Sequence, residues 1–452
     1  MSGVDRGAVP SSGTLRSFDF PTVERRKLPS GLDLRVALMN RLPMVSLNLF
    51  MRGGEAALGE HRAGLAVLTA DALEGGTGKR SGSELAEELE RIGARVSADG
   101  GWEGTSVALS CLADRLPRAM ELLSEMLLEP SFPEEEVTRA REQQLASIRQ
   151  RAMDPASLAS DVALASYYAE GVPYGRPVDG TVVSIGEMSR ASMVGYVEAN
   201  YRPGEGGLVV VGDVEPAEVE QLVTSHLGRW LGAPASRVDF DVKPATRERR
   251  VRIVHRPGAV QSEIRVGHVG TARSTPDYYP LSIANMVLGG MFTSRLNLNL
   301  REENGFTYGV RSRFTFRSRP GPFQVSTAAG NEVTAPAVRE IMHELVRMAD
   351  EGPTGEEVAA ARDYAAGVFG LQLETAGQIA ARVSQLVVFG LPDDHFDRYR
   401  DAVRSVTTAE AAAAAARHIR PEEVQIVVVG DADVIGDPIR KLEMGTVEIL
   451  GV

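Results

Sequence analysis

Apolar and polar positions alternate along the chain in two rhythms. Leu32–Ala37 (LDLRVA) and Met44–Met51 (MVSLNLFM) alternate or run apolar, with β-branched and aromatic content, which predicts strands. Arg52-Gly53-Gly54 ends the second. Residues 63–74, AGLAVLTADALE, contain no proline, are rich in Ala and Leu, and stop at Gly75-Gly76, which predicts a helix. Ser83 is expected to open a second helix, SELAEELERIG, closed by Gly93. Glu84 and Glu87 lie in its first turns, where negative charge suits the helix dipole. Residues 94–112 alternate as a hairpin around Gly100-Gly101. Residues 116–128 and 133–152 predict two amphipathic helices, the first carrying Leu116, Met120, Leu123 and Leu127 on one face.

The rhythm repeats. Tyr201-Arg202-Pro203 precedes LVVVGD at Leu208–Asp213, and Ile419-Arg420-Pro421 precedes IVVVGD at Ile426–Asp431. Arg202 to Arg420 and Gly212 to Gly430 share one offset of 218 residues. Each copy closes a run of strands, then helices, then a strand, so the pattern predicts an internal duplication. Residues 232–248 hold two prolines, several charges and no sustained period, as a linker would. The expected organisation is a tail over 1–20, a first domain over 21–232, a linker over 233–248 and a second domain over 249–452. Strands and helices come in blocks, which predicts α+β halves, each a mixed or antiparallel sheet covered by helices.

Length and composition narrow the chemistry. At 452 residues the chain exceeds one hydrophobic core, and 43% apolar content is that of a globular protein. The net charge of −12 argues against binding a nucleic-acid backbone. Through long-range attraction alone it also predicts tolerance of basic peptide segments. A single cysteine, Cys111, excludes a disulfide framework and any cysteine-rich metal site, and its apolar surroundings predict a structural thiol. The seven histidines never approach the four-residue spacing of a helical metal motif. His255 and His268 flank a strand-like stretch with no evident partner. No P-loop, dinucleotide fingerprint or nucleophile elbow is present. The first 20 residues lack the apolar core of a signal peptide, and no run of 18 apolar residues occurs, so a cytoplasmic location away from membranes is expected.

Leu288–Tyr308 reads LGGMFTSRLNLNLREENGFTY. Its pattern G-G-x-x-x-S-R-L-x4-R-E-E-x-G-x-x-Y resembles the second-half signature of the pitrilysin-type zinc metallopeptidases, the family of insulysin and mitochondrial processing peptidase. Gly64-Leu65-Ala66, Gly76-Thr77, SELAEELERIGARVSA, Val172–Val214 and Gln261–Gly267 resemble the family in the same order, so the likeness covers nearly the whole chain beyond residue 20. In that family the Arg and Tyr of the motif hold substrate across a cavity from zinc, a role the resemblance assigns to Arg301 and Tyr308. An Arg fork and a Tyr hydroxyl can both donate to peptide carbonyls and stabilise a tetrahedral intermediate. The plainer alternative is that Arg301 caps a helix end or pairs with Glu302 or Glu303, and that Tyr308 is a strand core residue.

The resemblance also implies an H-x-x-E-H zinc motif on the first helix and a distant glutamate. Aligned without a gap from Gly64 to Thr77, the histidine positions hold Val67 and Asp71, and the base position holds Ala70. Aligned at Asp154-Pro155, the glutamate position holds Ser147. Asp71, Glu74 and Glu142 are the nearest substitute carboxylates and are expected to be solvated helix charges. No metal or other cofactor is therefore expected in this chain. The implied function is a non-catalytic, substrate-binding subunit of a heterodimeric peptidase. Zinc would sit in a partner subunit, peptide or unfolded polypeptide would be the substrate, and a homodimer would be the alternative when the partner is absent. A second reading is a non-proteolytic core subunit or peptide-binding scaffold of the same fold. A third, an unaided hydrolase, lacks a visible nucleophile–base pair.

Overall fold

The computed structural model describes residues 18–232 and 239–451. Residues 1–17 of the expected tail and 233–238 of the expected linker lie outside the described residues. Twelve strands form two six-stranded sheets. They are β1 (Glu24–Lys27), β2 (Asp33–Leu38), β3 (Met44–Arg52), β4 (Arg95–Gly100), β5 (Gly104–Leu112), β6 (Gly207–Gly212), β7 (Arg250–His255), β8 (Gln261–Val269), β9 (Val310–Phe314), β10 (Pro322–Gly330), β11 (Gln425–Gly430) and β12 (Thr446–Gly451). Strand order is β1-β2-β6-β3-β5-β4 in one sheet and β12-β7-β11-β8-β10-β9 in the other.

The repeat seen in the sequence occupies equivalent places. β6 runs parallel to β2 and antiparallel to β3; β11 runs parallel to β7 and antiparallel to β8. Both are buried at every position, because a central strand with two covered faces must be apolar throughout. The halves differ at one margin. β1 precedes its sheet in the chain and pairs antiparallel, whereas β12 follows its sheet and pairs parallel.

Helices α1 (Leu65–Asp71), α2 (Gly82–Arg91), α3 (Leu116–Leu128), α4 (Glu134–Met153) and α5 (Pro155–Tyr167) belong to the first half. α1 is shorter than the periodicity predicts. Gly64 is left-handed at its start, and a tighter turn over Leu73–Gly75 follows its end. α2 is capped by Ser81 rather than opened at Ser83. Ser81 lies three residues before Glu84, and the Glu84 carboxylate accepts the Ser81 N–H at 2.8 Å in a reciprocal box. Cys111 is buried in the first core, and burial pushes its thiol up to about 11, as befits an inert thiol.

The outer faces of the sheets carry two large cores, each built from its own half. The opposite faces are covered by exchange. The helix Ala376–Phe389, from the second half, lays Ile379, Ala380, Val383 and Leu386 on Ala37, Val209 and Val211 of the first sheet. In return α5 lays Ala159, Ala163 and Tyr167 on Val254, Val269, Val427 and Val429 of the second. Polar contacts follow the same route. Arg52 donates to the Val387 carbonyl at 2.9 Å, Arg35 meets Asp393 at 2.6 Å, and Arg265 donates to the Ala156 carbonyl at 2.9 Å. Phe18 and Phe20, within the expected tail, pack on Phe369 and Phe396. No helix among the described residues is long and apolar enough to cross a membrane.

A Cβ added at Gly207 would lie 2.5 Å from the Val387 side chain, so the exchanged helix sits on bare backbone there. Gly207→Ala should therefore cost about 1–3 kcal/mol by overpacking. In urea titrations the Gly207→Ala/Val387→Ala double variant should be more stable than the two single losses summed, because the clash is shared.

Candidate functional site

In the first half the relevant helix is α1, and its position is set from below by Glu55. This carboxylate is fully buried and accepts the N–H groups of Gly64 at 2.9 Å and Ala66 at 2.8 Å, meeting orphan donors at the helix start. Burial raises the Glu55 carboxyl, opposed by the Gly64 N–H and by Arg176, whose guanidinium lies 2.9 Å away. On α4, Gln144 donates to the Asp179 carbonyl at 2.8 Å and the Gly64 carbonyl at 3.2 Å, tying the long helix to the same point.

On this framework Val67 is half-buried and Ala70 is buried, while Asp71 and Ser147 reach solvent. Val67 and Ala70 offer no lone pair, and a serine hydroxyl with one carboxylate does not make a zinc ligand set. These residues do not fit the ion that the resemblance implies. Asp71 and Glu74 are exposed helix charges, as the sequence reading expects, and they also feel neighbouring carboxylates. Partial burial, with the charges of Asp99 and Asp179, raises the Asp71 carboxyl; burial and Asp71 together raise that of Glu74. Glu142 is exposed on α4.

In the second half, Leu288–Tyr308 wraps the edge strand β9. The helix Tyr278–Asn285 widens into a π-turn over Met286–Gly290, and Arg295–Asn297 widens into another over Leu298–Glu303, which carries Arg301. Such wide turns recur at functional sites. Gly289 permits the first to touch β9, since a Cβ there would lie 2.6 Å from the Ser312 nitrogen. Gly305, at φ +65°, ends the second and sends the chain to Tyr308. Arg295 is structural: its guanidinium meets the Glu357 carboxylate with two contacts of 2.7 Å. Asn297 and Asn285 close the edge of β9. Asn297 Oδ1 accepts the Val310 N–H at 3.1 Å, and Asn285 Nδ2 donates to the Ser312 carbonyl at 3.1 Å.

Arg301 and Tyr308 come together. The Arg301 guanidinium lies 4.5 Å from the Phe292 ring centre and 5.3 Å from that of Tyr308, held between two aromatic faces. Its Nε is also 3.3 Å from Glu302, as the plainer sequence alternative expects. Tyr308 departs from that alternative. It is 92% exposed and no part of the strand core. Both residues line a groove of about 810 Å³ beside β9, and Tyr308 also lines a neighbouring one of about 490 Å³.

Family models match both halves of the chain: the one described as Insulinase (Peptidase family M16) over residues 35–180, and the one described as Peptidase M16 inactive domain over residues 187–364. The chain belongs to peptidase family M16. A Mycobacterium tuberculosis protein described as an uncharacterized zinc protease is 26% identical over 416 residues, covering 90% of this chain and 92% of its own. Human cytochrome b-c1 complex subunit 1 is 28% identical over 220 residues, 47% of this chain and 44% of that one. The fold matches a solved M16 inactive domain from Pseudomonas fluorescens at TM-score 0.85 and 24% identity, covering 90% of this chain and 98% of that one. A Helicobacter pylori protease matches at 0.83 and 17%, covering 90% and 99%.

Several residues that shape the site of this M16 chain were not legible beforehand. Phe292 stood in the motif as an unassigned position. Arg311 and Arg313 had a usable signal, because VRSRF alternates and puts both on one face of β9. Glu55 had none. His255 and His268 do have partners, against the sequence reading. His255 Nδ1 accepts the Ala432 N–H at 3.0 Å; His268 is buried, accepts the Arg420 N–H at 3.2 Å, and is held down to about 3 by burial. His255, Asp431 and Asp433 are the one gathering of three candidate ligands among the described residues. Asp431 already caps the following helix and accepts the Gly258 N–H, so this is a helix start rather than a metal centre.

Arg176→Ala should destabilise the protein by about 3–5 kcal/mol, because it leaves Glu55 buried without its counter-charge. Adding Glu55→Gln should recover part of that loss, as measured by chemical denaturation.

Proposed function

We propose that this M16 chain is a non-catalytic subunit that binds extended peptide in the groove beside β9 and acts with a zinc-bearing partner of the same family. The observation that carries this reading is the asymmetry between the halves. The α1 positions have no ligand set, whereas Arg301 is held between Phe292 and Tyr308 with both polar ends facing the groove. The two neighbouring rings restrict the guanidinium, which lowers the entropic cost for its remaining N–H groups to meet a peptide carbonyl. The exposed Tyr308 hydroxyl supplies a second donor. Together they would hold a backbone for attack by chemistry that this chain lacks. A family model described as an inactive domain and a relative that is a subunit of a larger complex support a non-catalytic role.

The second reading, a core subunit with no peptide role, is favoured by that same cytochrome b-c1 relative. The two separate on peptide binding. The purified chain should hold no stoichiometric zinc by elemental analysis and should cleave no peptide. Mixed with a zinc-bearing relative it should support chelator-sensitive cleavage. Arg301→Ala or Tyr308→Phe should reduce turnover of the pair by roughly ten- to a hundredfold with assembly by gel filtration intact. Unchanged turnover in both variants would remove the assigned roles, and one zinc per isolated chain would remove the non-catalytic reading.

A further inference from the structure

The groove beside β9 has a charge opposite to that of the protein. Three guanidiniums line it, those of Arg301, Arg311 and Arg313, and no carboxylate is among its lining residues. The neighbouring groove adds Arg311 again and likewise no carboxylate. The chain as a whole carries −12. Arg311 and Arg313 are exposed and form no ion pair with any described residue, although acidic residues outnumber basic ones by 61 to 49. Glu302, beside Arg301, is the one carboxylate among the described residues in contact with the three. Clustering like charges without counter-ions is unfavourable and is relieved by an anionic ligand.

The spacing defines the ligand further. Arg311 and Arg313 are two positions apart on one strand, so they point from the same face about 6.7 Å apart. An extended peptide beside them repeats its own same-side residues at the same interval. Recognition by adding a strand to the edge is obstructed, since the Val310 N–H and the Ser312 carbonyl are already taken by Asn297 and Asn285. The ligand must therefore be read by side chains over the face. Ser326 and Gln324, in register with Arg311 and Arg313 on β10, give that face a polar floor.

We infer that the groove selects extended peptide segments with carboxylates at alternate positions, which Arg311 and Arg313 pair while Arg301 and Tyr308 hold the backbone. This rests on the peptide-binding reading above and adds the substrate class. It reverses the preference for basic segments that the net charge alone predicts. A peptide is favoured over a polyphosphate because the groove also presents Phe292 and Tyr308, while the net charge of −12 repels a long polyanion.

The test is fluorescence anisotropy on the full-length protein, with nine-residue peptides that differ only in carrying Glu, Gln or Lys at three alternate positions. The Glu peptide should bind roughly fivefold or more tighter than the Gln peptide, with the Lys peptide weakest, and the advantage should shrink in high salt. Arg311→Gln/Arg313→Gln should bring the Glu peptide to the affinity of the Gln peptide. Arg311→Glu/Arg313→Glu should invert the order toward Lys. Both pairs are exposed, so thermal midpoints report that the variants fold. Equal binding of the three peptides, or a preference that survives in the double variants, overturns the inference. Tighter binding of single-stranded DNA than of the Glu peptide, abolished by the same variants, does so too. If the Gln peptide binds and Tyr308→Ala weakens it while the charge series is flat, the acidic class alone fails. If no peptide binds, both readings fall.

Discussion

The arrangement depends on a reciprocal covering of apolar sheet faces. Each six-stranded sheet has one face buried by its own helices and another that would stand open to water without a helix from the other half. Val209 and Val211 are dry because Val383 and Leu386 lie on them; Val427 and Val429 are dry because Ala159 and Ala163 do. At roughly 1.5–3 kcal/mol for each fully buried aliphatic side chain, breaking either cover is prohibitive against a net stability of about 5–15 kcal/mol. The halves are therefore not free bodies joined by a linker. The edge strands β4 and β9, and the segments packed on them, are fixed relative to one another by the same burial.

That rigidity bears on how charge is used. A protein with a net negative charge holds a cationic groove on β9, while in the other half partial burial, and secondarily the neighbouring charges of Asp99, Asp179 and Asp71, raises the carboxyls of Asp71 and Glu74. The two halves have diverged in the sign of their local field while keeping one topology. Arg301 shows how the surroundings restrict a long, flexible cation. The Phe292 and Tyr308 rings lie beside it, a π-turn brings it to the groove, and Asn285 and Asn297 bond the backbone of the neighbouring strand.

Much of the fold was legible because it rests on period and repetition. Central strands buried on both faces read as VVVG at a fixed offset, and the alternation of Met44–Met51 matched β3. The M16 resemblance carried the architecture for the same reason: it rests on strings such as SRL-x4-REE whose Arg295 turns out to anchor the motif to Glu357. Contacts between residues far apart in sequence were not legible. Nothing near Glu55 announces that it meets the start of α1, and nothing in Phe292 announces that it will cover Arg301. The start of α2 at Ser81 was missed because two serines compete there, and only the reciprocal contact with Glu84 decides between them. His255 and His268 were left without partners for a similar reason. The N–H groups of Arg420 and Ala432 that they accept come from more than 150 residues away, which no local pattern encodes.

The exchanged helices occupy the same station in each half: α5 follows α4 and precedes β6, and Ala376–Phe389 follows the helix Gly355–Leu371 and precedes β11. A duplication of a self-sufficient domain would have kept each cover at home. Crossed covers are instead what two identical half-length chains would show if they first associated by swapping that helix and were later joined end to end. On this view the linker came after the interface, and the ancestor was a symmetric pair whose two grooves were equal. Fusion freed each half to change separately, so carboxylates could gather about α1 of one half and guanidiniums along β9 of the other, in a molecule that had once been unable to tell its two sides apart.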